Sequence, residues 1–515
     1  MWLVDGVHRK AAPLVVLVLA FGAPGLRAAP DAADARSKGE YLARLGDCQG
    51  CHTAPGGKPF AGGSVLPTPF GTISVPNITP DRATGIGSWT DEQFYRAMHE
   101  GIGQHGEYLY PVFPFPWYTK VTRADVNAIH SYLKTLPAVN APRRPYKLTF
   151  PADNRESLLA WRSLFFNPGE FQPNPQASAQ VNRGAYLVEG LGHCGECHNQ
   201  HNVAGASRWS GVLEGGEIEG WYAPNLTADG NEGIGSWSVQ DLAHYLHGGT
   251  APRGGSAVGP MQEVINDSLS HLHPDDLQAM AAFLKSVPSQ QSFPAVVASN
   301  YRQSAAPGSR TYLSYCGSCH GTRGEGSGQR VPALARNGLV LAQGPEDIVR
   351  VMLGGVSARN GLSPMPAVGA SMSDDQVAEV ANYVRNAFGN AAPPTATSGL
   401  VANLRAETHT TLSGQPSSGC PGPVPSDLSK AFESADTQRR LDSLTESNIL
   451  QVIDAMVPKL RRAAPHAKVD DLVNALTDTY CGVLKHRSLS APARSELIGN
   501  FAVLSYGQLK SAGRG

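Results

Sequence analysis

The most regular pattern in this 515-residue chain is a set of short amphipathic stripes. In "SDDQVAEVANYVRNAFG", Val377, Val380, Ala381 and Val384 fall at i, i+3, i+4 and i+7, the apolar face of one helix. Ser373 ahead of two acids is an N-cap signature for it. "ADVNAIHSYLKTLP" from residue 124 and "DDLQAMAAFLKSVP" from residue 275 repeat the pattern. Two further stripes follow: Ile449, Val452, Ile453, Met456 and Leu460, with Thr445 as cap, and then Val469, Leu472, Val473 and Leu476. The patterning predicts an all-α protein of short helices.

The stripes belong to a larger repeat. "PNITPDRATGIGSWTDEQFYRAMHEG" (76–101) matches "PNLTADGNEGIGSWSVQDLAHYLHGG" (224–249) without a gap, at an offset of 148 residues. Upstream, "GEYLARLGDCQGCH" matches "GAYLVEGLGHCGECH", and "TYLSYCGSCHG" opens a shorter third copy. Each copy reads as a helix into CxxCH, a loop, a helix ending in Gly, a loop and a final helix. Pro- and Ser-rich joins then divide the chain into 33–140, 178–290 and 303–390, a linker over 391–418 and a helical extension over 419–515, with "RESLLAWRSLFF" a short helix between the first two copies.

Composition narrows the class. With 41% hydrophobic residues, 17% charged residues and net charge −1, the chain has a substantial core and no basic surface suited to nucleic acid. Residues 1–29 read as a secretory signal, with "HRK" before a short apolar run and "GLRAA" offering a cleavage site, and this predicts a periplasmic mature protein.

Six of the eight cysteines sit in the three CxxCH motifs: Cys48 and Cys51 with His52, Cys194 and Cys197 with His198, Cys316 and Cys319 with His320. A redox CxxC has no use for the histidine. A zinc site needs four ligands around one ion, and pairs this far apart in sequence are poor candidates. Covalent c-type haem uses all three residues, two thiols for thioethers and one imidazole for iron, so the motifs predict three haems. The spare pair, Cys420 and Cys481, suits a disulfide in an oxidising compartment.

Each iron then seeks a sixth ligand. "VGPMQEV" offers Met261, in the loop after the Gly-terminated helix, and "LSPMPAV" offers Met365, with Met372 a weaker rival. The first copy departs from this pattern, because the match sets Phe113 opposite Met261 and "LYPVFPFPWY" contains no sulfur. Met98, His99, His105 and Tyr110 are its local candidates; Met98 is either a ligand or a residue lining the pocket. No Rossmann fingerprint or P-loop appears, since the Gly-rich "GTRGEGSG" follows CxxCH and not a strand.

"TPFGTISVPNITPDRATGIGSW", "RAMHEG", "LYPVFPF", "GPMQEV" and the three CxxCH motifs together resemble the triple-haem cytochrome c subunits of membrane-associated bacterial dehydrogenases, over roughly residues 35–390. The partners of that family include alcohol, gluconate, sorbitol and fructose dehydrogenases, and molybdenum hydroxylases acting on aldehydes and N-heterocycles. The resemblance implies three tandem class I cytochrome c domains. It also implies a catalytic dehydrogenase partner, peripheral membrane association, and ubiquinone or a terminal oxidase as acceptor. The sugar and alcohol branch usually carries a YPAMPY-like loop, so Phe113 resembles the molybdenum-hydroxylase branch. A peroxidase-type haem enzyme with an open first iron and a freestanding electron carrier are the alternatives. The extension lies outside the resemblance.

Overall fold

The structure is a computed structural model. It describes residues 32–484 except 208–211, 231–232, 251–255, 291–305, 327–330, 357–362, 413–434, 446–447, 466 and 468, with scattered positions beyond. The expected signal, residues 1–29, lies outside the described residues.

The chain is mostly helical and organised around the three motifs. In each unit a helix leading into CxxCH crosses a final helix: Ala32–Leu45 on Arg123–Leu133, Ala179–Glu189 on Pro274–Ser286, and Ser309–Tyr315 on Asp374–Asn386. A glycine sits at each crossing. A Cβ on Gly39 would lie 2.0 Å from the Ala128 carbonyl oxygen, one on Gly184 would lie 1.9 Å from that of Ala279, and one on Gly308 would lie 2.3 Å from that of Glu379. Only a residue without a side chain lets the two backbones approach so closely.

The final helices start as their sequences suggest. Thr122 caps the first through the Asp125 N–H, and Ser373 with Gln376 forms a full capping box on the third. Val377, Val380, Ala381 and Val384 of the third helix are all buried. The all-α expectation needs one correction. Val65–Thr68, Gly71–Ser74 and Lys147–Leu148 form an antiparallel sheet, and Gly216–Ile218 pairs with Trp221–Ala223. Strands of two to four residues are too short to show an alternating pattern in sequence.

The first two units share one continuous core, in which Leu42, Leu45 and Val121 pack with Leu187, Leu191, Leu269 and Leu272. Their polar seam is reciprocal. The Tyr41 hydroxyl donates to Asp276 at 2.6 Å and the Tyr186 hydroxyl donates to Asp125 at 2.5 Å. Each tyrosine also accepts from the backbone N–H that opens the other unit's final helix, His273 to Tyr41 and Thr122 to Tyr186. Within its own unit each aspartate holds a cation, Lys38 on Asp125 and Arg183 on Asp276. These pairings relate equivalent repeat positions, so the two units face each other about a local pseudo-twofold. The third unit joins differently. The Tyr222 N–H donates to Asp347 at 2.9 Å, and Arg350 Nε donates to the Gly220 carbonyl at 3.0 Å.

Part of the stretch expected to be a linker, 391–418, is helical. Ser398–Leu412 is a helix whose Val401 and Leu404 are buried in the third unit's core. Arg405 clamps it there, through Asp374 and the carbonyls of Gly369 and Met372. The extension has its own core, formed by Ala435–Asp442, Ile449–Ala463 and Val469–Leu484. Its second helix begins after Asn448 and not Thr445; the Asn448 side chain makes no bond to the helix's first turn and accepts instead from the Thr445 N–H. Cys319 of the third motif packs against this core. Cys481 is buried and disulfide-bonded, while the other half of the expected pair, Cys420, lies outside the described residues.

The packing makes two tests available. Gly184→Val should destabilise the protein by about 1–3 kcal/mol or more, because the side chain meets backbone. Gly399→Ala, with nothing within 4 Å, should be neutral or slightly stabilising, and denaturant midpoints of the two variants check the pair. The second concerns acid. Burial would raise the Asp276 carboxyl, but hydrogen bonds from Arg183 and Tyr41 outweigh it and hold it below the ordinary carboxylate range. Its contribution is therefore present at neutral pH and lost as pH falls through the depressed value. Asp276→Asn should lower the midpoint at pH 7 and make its acid decline shallower.

Candidate functional site

The spacing of CxxCH becomes geometry through one helical turn. The His52 N–H donates to the Cys48 carbonyl at 3.0 Å, His198 to Cys194 at 2.9 Å and His320 to Cys316 at 2.8 Å. Residues at i, i+3 and i+4 of a turn share a face, so both sulfurs and the imidazole sit on one side. The chain turns into the first two motifs through left-handed residues, Asp47 at φ 48° and His193 at φ 36°.

Each imidazole is then oriented by a second bond. His52 Nδ1 lies 2.8 Å from the Pro76 carbonyl oxygen, His198 Nδ1 lies 2.7 Å from that of Pro224, and His320 Nδ1 lies 3.0 Å from that of Pro332. A carbonyl only accepts, so Nδ1 carries the proton and Nε2 is left as the donor to a metal. Burial pushes His52 and His198 down to about 4 and lowers His320 as well, so all three imidazoles are neutral and fit to bind iron. The first two prolines are held by Asx turns, in which the side chains of Asn77 and Asn225 accept from the Thr79 and Thr227 N–H groups. The repeated "PN" in the sequence is the signal that would have found these carbonyls.

The competing chemistries fit poorly. The six motif cysteines are not bridged, and burial pushes Cys48, Cys51, Cys194, Cys197 and Cys316 up to about 12, the opposite of a redox-active thiol. Among the described residues no three His, Cys, Asp or Glu side chains group to hold a metal ion. Two sulfurs beside one oriented imidazole suit a haem, which supplies a one-electron centre when bound.

Equivalent positions sort the methionines. Met372 immediately precedes the capping Ser373 and is buried with Val377, a hydrophobic staple. Val121 with Val126 and Leu272 with Leu277 occupy the same places in the other units. Met365 instead follows the helix-ending glycine loop, half-buried, its backbone N–H and carbonyl both bonded to Val356. Met261 lies in the first turn of a helix, Pro260–Asp267, where a loop was expected, and packs half-buried on the shared core. Met98 is buried three residues before Gly101, the place taken by Leu246 before Gly249 and by Met352 before Gly355. Phe113 is half-buried and meets the Tyr118 ring edge-on at 5.5 Å. His99 stacks on Tyr95 and His105 is exposed.

Phe113→Met places a thioether donor where the matched repeat carries Met261. It should add a sulfur-to-iron charge-transfer band to the oxidised protein and raise one midpoint potential, by a part of the roughly 0.8 V range that axial ligation spans. Met98→Leu should leave both signals unchanged.

Residues 37–137 match the cytochrome c family, and residues 303–384 match the family of cbb3-type cytochrome c oxidase subunit III. The gluconate 2-dehydrogenase cytochrome c subunit of Pantoea cypripedii is 36% identical over 419 residues, covering 76% of this chain and 94% of that protein. The fructose dehydrogenase cytochrome subunit of Gluconobacter japonicus is 36% identical, over 69% of this chain and 79% of that one. A nicotinate dehydrogenase subunit of Pseudomonas putida is 40% identical over 68% of this chain, which spans only 30% of that relative's length. The chain belongs to the family of cytochrome c subunits of bacterial dehydrogenases, and its cytochrome c domains carry covalently bound c-type haem.

Proposed function

We propose that the chain is a three-haem electron-transfer subunit, with one class I cytochrome c domain around each CxxCH motif. It takes electrons singly from a catalytic dehydrogenase and passes them to ubiquinone or a terminal oxidase. The observation that carries this reading is the threefold recurrence of one arrangement, a turn presenting two sulfurs and an imidazole whose Nδ1 is held by a proline carbonyl. The secretory character of residues 1–29 supports work in the periplasm, peripheral to the outer face of the inner membrane.

In this reading Met261 and Met365 complete the second and third irons, and the first lacks a sulfur from its own "LYPVFPF" loop, with Met98 serving as packing. The Phe113 loop favours a molybdenum-hydroxylase partner, and nicotinate, which the Pseudomonas putida relative's name gives as substrate, is an N-heterocycle of the kind that branch acts on.

Intact mass in denaturant should show an excess equal to three haems, none of it extractable by acid acetone; an excess of two would reject the count. The protein expressed in its natural host should copurify with a second large polypeptide and oxidise no donor without it. Turnover of peroxide by the purified chain alone would favour the enzyme reading.

A further inference from the structure

Two buried aromatic side chains of the first unit stand between the first two motifs, and haem attachment calls for neither. A Cβ on Gly195 would lie 2.3 Å from the Trp117 ring, and Trp117 Nε1 donates to Glu196 at 2.7 Å. Gly195 and Glu196 are the two residues between Cys194 and Cys197. Tyr118 reaches towards both motifs. Its hydroxyl donates to the Gly46 carbonyl at 3.1 Å, two residues before Cys48, and its ring meets His193, next to Cys194, edge-on at 5.6 Å. Both residues are about 5% exposed, so little of either ring meets solvent.

Tunnelling weakens exponentially with distance, and less steeply through packed, bonded atoms than across a void. We propose that Trp117 and Tyr118 are the bridge that sets electronic coupling between the first and second haem sites. Trp117 is the principal element because it touches residues inside the second motif. The proposal rests on the haem-bearing reading above. The exchange moves one electron, oxidising one centre and reducing the other. Both side chains begin and end neutral, and no proton moves. They are positioning residues for the transfer, not redox partners in it.

The test uses the full holoprotein. Flash photoreduction starts electron redistribution among the haems, transient absorption reads its rate, and spectroelectrochemistry reads each midpoint potential. Trp117→Leu should slow the fastest interhaem phase at least tenfold, with haem content and potentials unchanged. Trp117→Phe, which keeps a ring but loses the Glu196 bond, should slow it two- to fivefold. Tyr118→Phe, which keeps the ring contact to His193, should also stay within fivefold of the parent. An unchanged rate in Trp117→Leu overturns the proposal, as does a slowing accounted for entirely by shifted potentials. If that variant does not fold, an unchanged rate in Trp117→Phe overturns it. Missing haem would instead sink the functional reading itself, so the two failures are distinguishable.

Discussion

Everything in each unit hangs on two helix backbones meeting where a glycine leaves no side chain. With a Cβ position only about 2 Å from the partner's carbonyl, the crossing at Gly39, Gly184 and Gly308 allows one relative placement and little sliding. The same constraint settles what faces outward. A residue two positions beyond the glycine lies some 200° round the helix, on the far side from the crossing. In the first two units that residue is Tyr41 or Tyr186, and each reaches across to the other unit's aspartate. In the third unit Gly308 is the left-handed residue that opens the helix, and the residue two beyond it, Arg310, is exposed; among the described residues this unit shows no counterpart of the seam and docks through Asp347 and Arg350. The pairing of two units and the separate attachment of the third thus follow from one position on one helix.

The attachment sites depend on a second layer that the motifs do not contain. CxxCH fixes which side of a turn carries sulfur and imidazole, but the ring could still rotate and choose either tautomer. The proline carbonyl removes both freedoms. In the first two units it is presented by a loop that the "PN" turn stabilises, so the arrangement depends on structure well outside the motif. In the third unit the carbonyl comes from Pro332, only 12 residues beyond His320, where the first two units use 24 and 26. A shorter domain reaches the same bond by a shorter route.

Most helices, the Ser373 cap and the three motifs were legible because each is encoded locally: an apolar stripe, Ser ahead of acids, cysteines at fixed spacing. What sequence alone could not reveal is relational. The shared "YL" pairs Tyr312 with Tyr41 along the sequence, yet the helix crossing sets Gly308 opposite Gly39, and Tyr312 turns inward to bond the Gly321 carbonyl. Ser398–Leu412 was unreadable as a docked element because, among its described residues, its apolar face is narrow (Leu400, Val401 and Leu404), and the Arg405 clamp that supplements it joins distant carbonyls. Sequence ranks Met372 below Met365, but its staple role emerges only when its place before the cap is compared with Leu272 and Val121 in three dimensions.

The loop that lacks sulfur has a use that explains its composition. "LYPVFPFPWY" places Phe113, Phe115, Trp117 and Tyr118 within six residues, and each packs against a different surface. Phe113 lies on Tyr118, and Phe115 lies on Phe166 and Trp161 of the inter-unit segment. Trp117 lies on the second motif, and Tyr118 lies against His193 and the approach to the first. The matching stretch of the second unit, around Met261, is instead an amphipathic helix that buries Ile265, and its C-cap Ser268 bonds across to the Leu45 carbonyl. Large rings are suited to filling an interface between two already formed units, whereas a thioether suits an irregular gap inside one. A loop devoted to joining the units has its side chains turned outward along the joint. In the proposed reading, these rings fill the joint between the units, and the fold there does not depend on a thioether at position 113.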